Sequence, residues 1–137
     1  MQKIEMPEKV PMLSTMVNHR DSEKVLYPHK AWIYCAIDAP EDGNGKLKEQ
    51  RNMLYEYTRQ MGMQVFGDSS DLGGKPLLDR VGFVYFLKNV VEEQVDTLVV
   101  SGRRCLWDSA MQQAQLQVIV KQHHLQIYSP LEGKWKM

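Results

Sequence analysis

The stretch Ala31-Trp32-Ile33-Tyr34-Cys35-Ala36-Ile37-Asp38 is an unbroken apolar run of β-forming residues that ends on a carboxylate. An alternating pattern would mark a strand with one wet face; a continuous one marks a strand covered on both faces. Such a strand belongs at the centre of an open α/β sheet, where the carboxyl ends of the strands form the ligand crevice. Asp38 is therefore placed where chemistry is usually kept.

Working outward, Leu47, Leu54, Tyr57 and Met61 recur at spacings of seven, three and four, one face of a helix that Gly62 can stop. The stretch EDGNG before it reads as a turn. MQVFGD follows as a short strand, then DSSDLGGKPLLD as a polar loop. Asp79 is placed to cap a second helix whose apolar stripe is Val84, Leu87 and Val91. VDTLVVS is another buried strand. Trp107, Met111, Ala114 and Val118 give the stripe of a third helix, and LQIYS the next strand. LEGKWKM adds a short edge strand or frays. Strand and helix alternate throughout, so the expected fold is a three-layer α/β/α domain on a mostly parallel sheet of four to five strands.

The bulk properties agree. A chain of 137 residues with 43% hydrophobic and 25% charged residues suits one soluble domain. Residues 30–137 are expected to form it. Residues 1–29, with Pro7, Pro11 and Pro28 among charges, read as an extended, partly disordered leader. No apolar run approaches the roughly 20 residues that span a bilayer, and MQKIEMPEKVPML lacks the apolar region of a secretory signal. A cytoplasmic location is expected, with Cys35 and Cys105 as buried free thiols. Seventeen basic residues balance seventeen acidic ones, so DNA, if bound, is bound weakly by this chain alone.

Several residues have both a functional and a plain reading. Asp38, Glu41, Asp42 and Asp68 can hold a divalent cation or stand as solvated carboxylates, and their spacing defines no coordination set. Asp38 as an aspartyl nucleophile would need a lysine and a second carboxylate at fixed strand ends, and neither can be placed. EDGNGK lacks the phosphate-loop patterns GxGxxG and GxxxxGK[ST]. Arg103 and Arg104 after the third strand suit planar phosphate recognition, or form a solvated pair. His123 and His124 read as a helix C-terminal cap, and Met53, Met61, Met63 and Met111 as filler. No nucleophile and base pair is identifiable, and no metal or other cofactor is expected.

In order, YCAID, LKEQRNMLYEY, FGDSSDLGG, DRVGFVYFL, VVEEQVDTLVV, RRCLWD and LQIYSPLEG resemble the segments of the resolvase/invertase family of serine recombinases, over about residues 31–132. The resemblance implies site positions. The family's helix glutamine is matched by Gln50, its loop aspartate by Asp68, the arginine at the next helix entry by Arg80, and the first arginine after strand three by Arg104. Arg80, Arg103 and Arg104 become phosphate or DNA-binding candidates.

The departures matter more. Asp38 stands at the attacking serine and Ala36 at the arginine two residues before it. The serine-glycine pair of the second loop falls on Asp71 and Leu72, with Ser70 as a substitute. Arg103 takes the place of the acidic partner and Trp107 that of the second arginine. A carboxylate repels the scissile phosphate and cannot replace the hydroxyl, and no serine lies between Tyr27 and Asp68. The resemblance thus implies a vestigial site at Ala36, Asp38, Gln50, Asp68, Arg80 and Arg104, without strand cleavage. Seven residues follow Pro130, so the family's long helix and DNA-reading domain are expected to be absent. Three functions stay open: a binding or regulatory module that contacts itself or a related recombinase, a recombinase component active only with a partner, and a small phosphate-ligand or metal-dependent enzyme using Asp38 and Asp68.

Overall fold

A computed structural model describes residues 29–37, 43–72, 75–92, 94–107 and 109–137. The leader expected over residues 1–29 therefore lies, apart from His29, outside the described residues, as do Asp38, Glu41 and Asp42. Strand β1 (Lys30–Ile37) is followed by α1 (Gly43–Met61), β2 (Gln64–Leu72), α2 (Val81–Val91), β3 (Thr97–Val99), α3 (Ala110–His123), β4 (Gln126–Ser129) and β5 (Gly133–Lys134). Short 3-10 turns at Leu77–Asp79 and Arg103–Cys105 precede α2 and α3.

The sheet order is β2, β1, β3, β4, β5. The first four strands are parallel and β5 runs antiparallel to β4. The class expected from the alternation is the class observed. The chain builds outward from β1 on one side and then on the other, so the order reverses between β1 and β3 and leaves a crevice at their carboxyl ends.

β1 is central because both its faces are covered. Trp32, Tyr34 and Ala36 pack with Phe83 and Phe86 of α2 and Leu116 of α3. Ala31, Ile33 and Cys35 turn to the opposite face, against Leu54 of α1. The two thiols, Cys35 and Cys105, are buried and unpaired, as expected. Among the described residues no helix is long and apolar enough to cross a membrane.

Several local expectations are corrected. The turn expected at EDGNG is in part helix, since Gly43–Gly45 form the first turn of α1. β2 continues through the polar segment read as a loop, pairing residue by residue with β1 up to Leu72. Partners for its polar side chains make this possible. Ser69 Oγ accepts from Trp32 Nε1 (2.9 Å) and donates to the Gly82 carbonyl (2.7 Å). Asp71 accepts from the Tyr34 hydroxyl (2.8 Å).

Asp71 also takes over the cap expected of Asp79. Its carboxylate accepts from the backbone N–H of Gly82 (2.9 Å) and of Phe83 (3.0 Å), two of the unpaired donors at the start of α2. Asp79 lies in the preceding turn and Arg80 is the capping position, with no side-chain cap of its own. Gly82 permits the close approach: a Cβ there would lie 2.7 Å from both Asp71 Oδ2 and the Ser70 carbonyl oxygen.

The helix stripes differ as well. In α2 the buried residues are Phe83, Phe86 and Val90, whereas Val84 and Val91 are exposed. VGFVYFLKNVV is apolar at nearly every position, so spacing did not distinguish the inner face. In α3, Leu116 faces the core with Ile119 and Val120 beside it, while Met111 and Val118 point outward. Trp107 precedes the helix, whose N-cap is Ser109, accepting from the Gln112 N–H (3.2 Å). The closing histidines behave as expected, His124 taking the left-handed conformation at the C-cap (φ 54°). Beyond β5, Trp135 is buried and donates from Nε1 to Ser129 Oγ (3.0 Å), which fixes the last segment. Of the methionines, Met63 is buried, and Met53, Met61 and Met111 are exposed.

Candidate functional site at the strand ends

β1 outruns β3: their pairing stops at Ile33 and Val99, although β1 continues to Ile37. The polar edge of Ala36 beyond that point needs other partners, and α1 supplies one. Gln50 Oε1 accepts from the Ala36 N–H (3.1 Å), and Gln50 Nε2 donates to the Ala36 carbonyl (3.4 Å). The Cys105 thiol closes the third side. It lies 3.5 Å from Gln50 Oε1 and 3.6 Å from the Ala36 carbonyl oxygen, and shares a 3.0 Å hydrogen bond with Ser101 Oγ.

Arg80 stands behind this group. Its side chain is buried, its Nε donates to the Lys75 carbonyl (2.9 Å) and its Nη1 to the Cys105 carbonyl (2.7 Å). It also lies close enough to act on the Tyr34 phenol, whose pKa is raised chiefly by burial, with Arg80 opposing that shift and Asp71 adding to it. Two of the five guanidinium N–H donors are thus committed to the protein's own carbonyls.

Arg80 nevertheless forms one wall of a cleft of 590 Å³ whose other residues include Arg103, Arg104, Trp107 and Gln113. Arg103 is held: it pairs with Glu132 (3.2 Å) and lies over the Trp135 ring, 4.6 Å from its centroid. Trp107 meets Trp135 edge-on at 5.8 Å. Arg104 is exposed and makes no ion pair among the described residues. The two adjacent arginines therefore differ: Arg103 is held against Glu132 and Trp135, and Arg104 is exposed.

Asp68 stands apart from this group. It pairs with Ile33 in the sheet, while Ala36 pairs with Asp71, so Asp68 sits lower on β2. It faces α1, accepts a 2.5 Å hydrogen bond from the Tyr55 hydroxyl, and lines a separate cavity of 190 Å³ with Cys35, Lys48 and Arg51. Burial first, and then Asp68, push the Tyr55 phenol up to about 12. Of the expected site residues, the structure gathers Ala36, Gln50, Arg80 and Arg104 at one end of the sheet and leaves Asp68 on the α1 face. Asp38 lies outside the described residues. Among the described residues no three His, Cys, Asp or Glu side chains are grouped to hold a metal ion.

Sequence reasoning passed over Cys105 as a core thiol and Asp71 as a loop residue. Only the run Ser101 to Cys105 at a strand end hinted at the first.

No protein-family model matches the sequence, and no curated protein matches it. Solved structures do. The catalytic domain of ISC1926 TnpA, an IS607-like serine recombinase, superposes with a TM-score of 0.65 at 19% identity, covering 73% of this chain and 68% of that one. The fold is that of a serine recombinase catalytic domain. The N-terminal catalytic domain of TP901-1 integrase gives 0.64 at 21% identity, over 76% of this chain and 78% of that one. A serine recombinase from Sulfolobus solfataricus gives 0.60 at 20%, over 74% and 69%. On this serine recombinase fold, the end of β1 is occupied by an alanine peptide, an amide and a thiol.

Proposed function

We propose that this chain is a serine-recombinase-like domain related to DNA recombination that does not cleave strands and acts as a binding or regulatory module. The observation that carries the reading is the environment of Ala36. Phosphoryl transfer needs cationic donors aimed at the charge that develops on the phosphate. Where the family resemblance calls for an arginine side chain there is a methyl group, and the neighbouring donors of Gln50 and Cys105 are turned toward the Ala36 peptide. Arg80 is committed to carbonyls, and Trp107 stands where a second arginine is expected. With Asp38 in the serine position, neither the nucleophile nor its full cationic support is present.

Arg104 keeps a residual anion contact open in the 590 Å³ cleft, which favours a second reading, a component that cuts DNA only when a related recombinase supplies the serine. The enzyme reading built on Asp38 and Asp68 has less support, because the Asp68 carboxylate already accepts a hydrogen bond from the Tyr55 hydroxyl.

The test is covalent trapping. The purified chain is incubated with supercoiled plasmid carrying the DNA that flanks its own coding sequence, and the products are run on a denaturing gel. No protein–DNA adduct and no nicking are expected. An adduct formed by the chain alone would sink the proposal, and cleavage appearing only on addition of an active serine recombinase would establish the second reading instead.

A further inference from the structure

The α1 face of the sheet carries a second opening. Two cavities adjoin there, one of 640 Å³ and one of 190 Å³, with Arg51 and Asp68 lining both. Lys48, Arg51, Asn52 and Tyr55 recur at i, i+3, i+4 and i+7, which sets them on one side of α1, and β2 forms the opposite wall. Lys48 and Arg51 are exposed and make neither an ion pair nor a hydrogen bond among the described residues. At the far end Arg59 pairs with Glu56, so the unpaired cations are gathered at the smaller cavity. Cations without partners in a concave surface raise the local concentration of anions, and an arginine fork meets two phosphate oxygens at once.

We infer that this trough binds a ribonucleoside monophosphate, its phosphate in the smaller cavity against Lys48 and Arg51 and its base in the larger one. Asp68 narrows the ligand class. Its Oδ2 holds the Tyr55 hydroxyl, and its other oxygen has no donor among the described residues. A bare anion beside that oxygen is repelled, whereas a ligand that brings hydroxyl groups together with its negative charge satisfies it, as a ribose does on the carboxylate of dinucleotide-binding folds. Ser70 adds a hydroxyl at the phosphate end. The larger cavity suits the rest of the molecule. Met63, Val65 and Tyr55 give it an apolar surface on which a flat base can lie, and the Asn52 carboxamide offers both donors and an acceptor to the base edge. Its volume falls within the roughly 300–1,000 Å³ of small-molecule sites. The site is independent of strand cleavage, since Ala36, Arg80 and Arg104 line neither cavity.

Isothermal titration of the full chain with adenosine 5′-monophosphate is the test. An open cleft of this kind is expected to give a dissociation constant on the order of 100 μM. Adenosine alone, inorganic phosphate alone and the 2′,3′-dideoxy monophosphate, which lacks the ribose hydroxyls, should each bind roughly tenfold more weakly or worse. Arg51→Ala removes the fork and should weaken the monophosphate by roughly tenfold, while its melting temperature stays within about 4 °C because the residue is exposed. Lys121→Ala, exposed on α3 and lining neither cavity, should leave binding unchanged. No binding up to about 5 mM, equal binding by inorganic phosphate, or a monophosphate affinity that falls with Arg104→Ala and not with Arg51→Ala would each overturn the assignment. A 5′-phosphorylated single strand that displaces the mononucleotide at a lower concentration than the mononucleotide itself requires would overturn it too, giving the site to nucleic-acid ends.

Discussion

The carboxamide of Gln50 closes both polar groups of the Ala36 peptide, taking its N–H at 3.1 Å and giving to its carbonyl at 3.4 Å. In this way a helix side chain continues the sheet where β3 has already ended. The Ala36 peptide is thereby paired from within the chain.

Because these are partly buried backbone groups, removing the amide leaves a donor and an acceptor without it. Gln50→Leu should cost about 2 kcal/mol of folding stability, read from urea unfolding. Gln50→Glu keeps the acceptor for the Ala36 N–H but, when ionised, sets a carboxylate against the Ala36 carbonyl oxygen. A loss smaller than about 0.5 kcal/mol for Gln50→Leu would mean that water replaces the amide without penalty.

The three arginines of the cleft should separate by role. Arg80→Leu removes the guanidinium that satisfies the Lys75 and Cys105 carbonyls, and should destabilise the fold by about 3 kcal/mol. Arg104→Ala should change stability by no more than about 0.5 kcal/mol while weakening whatever phosphate or DNA retention the chain has. Thermal unfolding and a filter-binding titration at low salt read the two effects. Equal stability losses for both variants would contradict the division.

At the start of α2 the contrast lies between two aspartates. Asp71→Ala removes the cap on Gly82 and Phe83 and the acceptor for Tyr34, an expected loss of about 2 kcal/mol. Asp79→Ala, at the residue that sequence pattern alone marks as the cap, should cost about 0.5 kcal/mol or less. Gly82→Ala should resemble Asp71→Ala, since its Cβ would meet the Asp71 carboxylate and the Ser70 carbonyl at 2.7 Å. Denaturant midpoints of the three variants compare them directly.

Stability should also fall on the alkaline side. Burial, with smaller contributions from Cys105 and Asp68, pushes the Cys35 thiol from 9.0 up to about 12. A group whose folded pKa is raised binds its proton more tightly when folded, so its contribution is complete below the unfolded value and is lost as pH rises through the folded one. The window is therefore pH 9 to about 12 for Cys35, and the raised phenol of Tyr34 adds to the same limb. Melting temperature followed from pH 8 to pH 11 should decline, and Cys35→Ala should flatten part of that decline. An unchanged slope in the variant would remove Cys35 from the explanation.

Much of the architecture was legible in particular residues. Ala31–Ala36 announced a central strand because both faces of a parallel sheet need apolar cover, and the alternation of segments announced the layers. The family resemblance names Gln50, Arg80 and Arg104 as site positions, and the structure sets all three toward the carboxyl ends of the strands. Other features were not legible, each for a physical reason. The far half of β2 is not legible, because Asp68, Ser69 and Asp71 have the character of loop residues and only the fold brings Tyr55, Trp32, Tyr34 and α2 to satisfy them. Asp68 was grouped with the arginines, yet its register opposite Ile33 puts it on the α1 face.

By itself, then, the sequence determined the α/β class, the central place of β1 and the neutral charge balance, because burial pattern and composition are properties of short windows and of sums. The tertiary structure alone decided which side of each helix is inside. Met111, Ala114 and Val118 have the period of a core face and lie on the outside, because the sheet offers α3 room for one apolar side and Leu116, Ile119 and Val120 take it. It likewise decided that Arg80 serves carbonyls and that Arg103 serves Glu132 and Trp135, since partners distant in the chain meet only when the layers close.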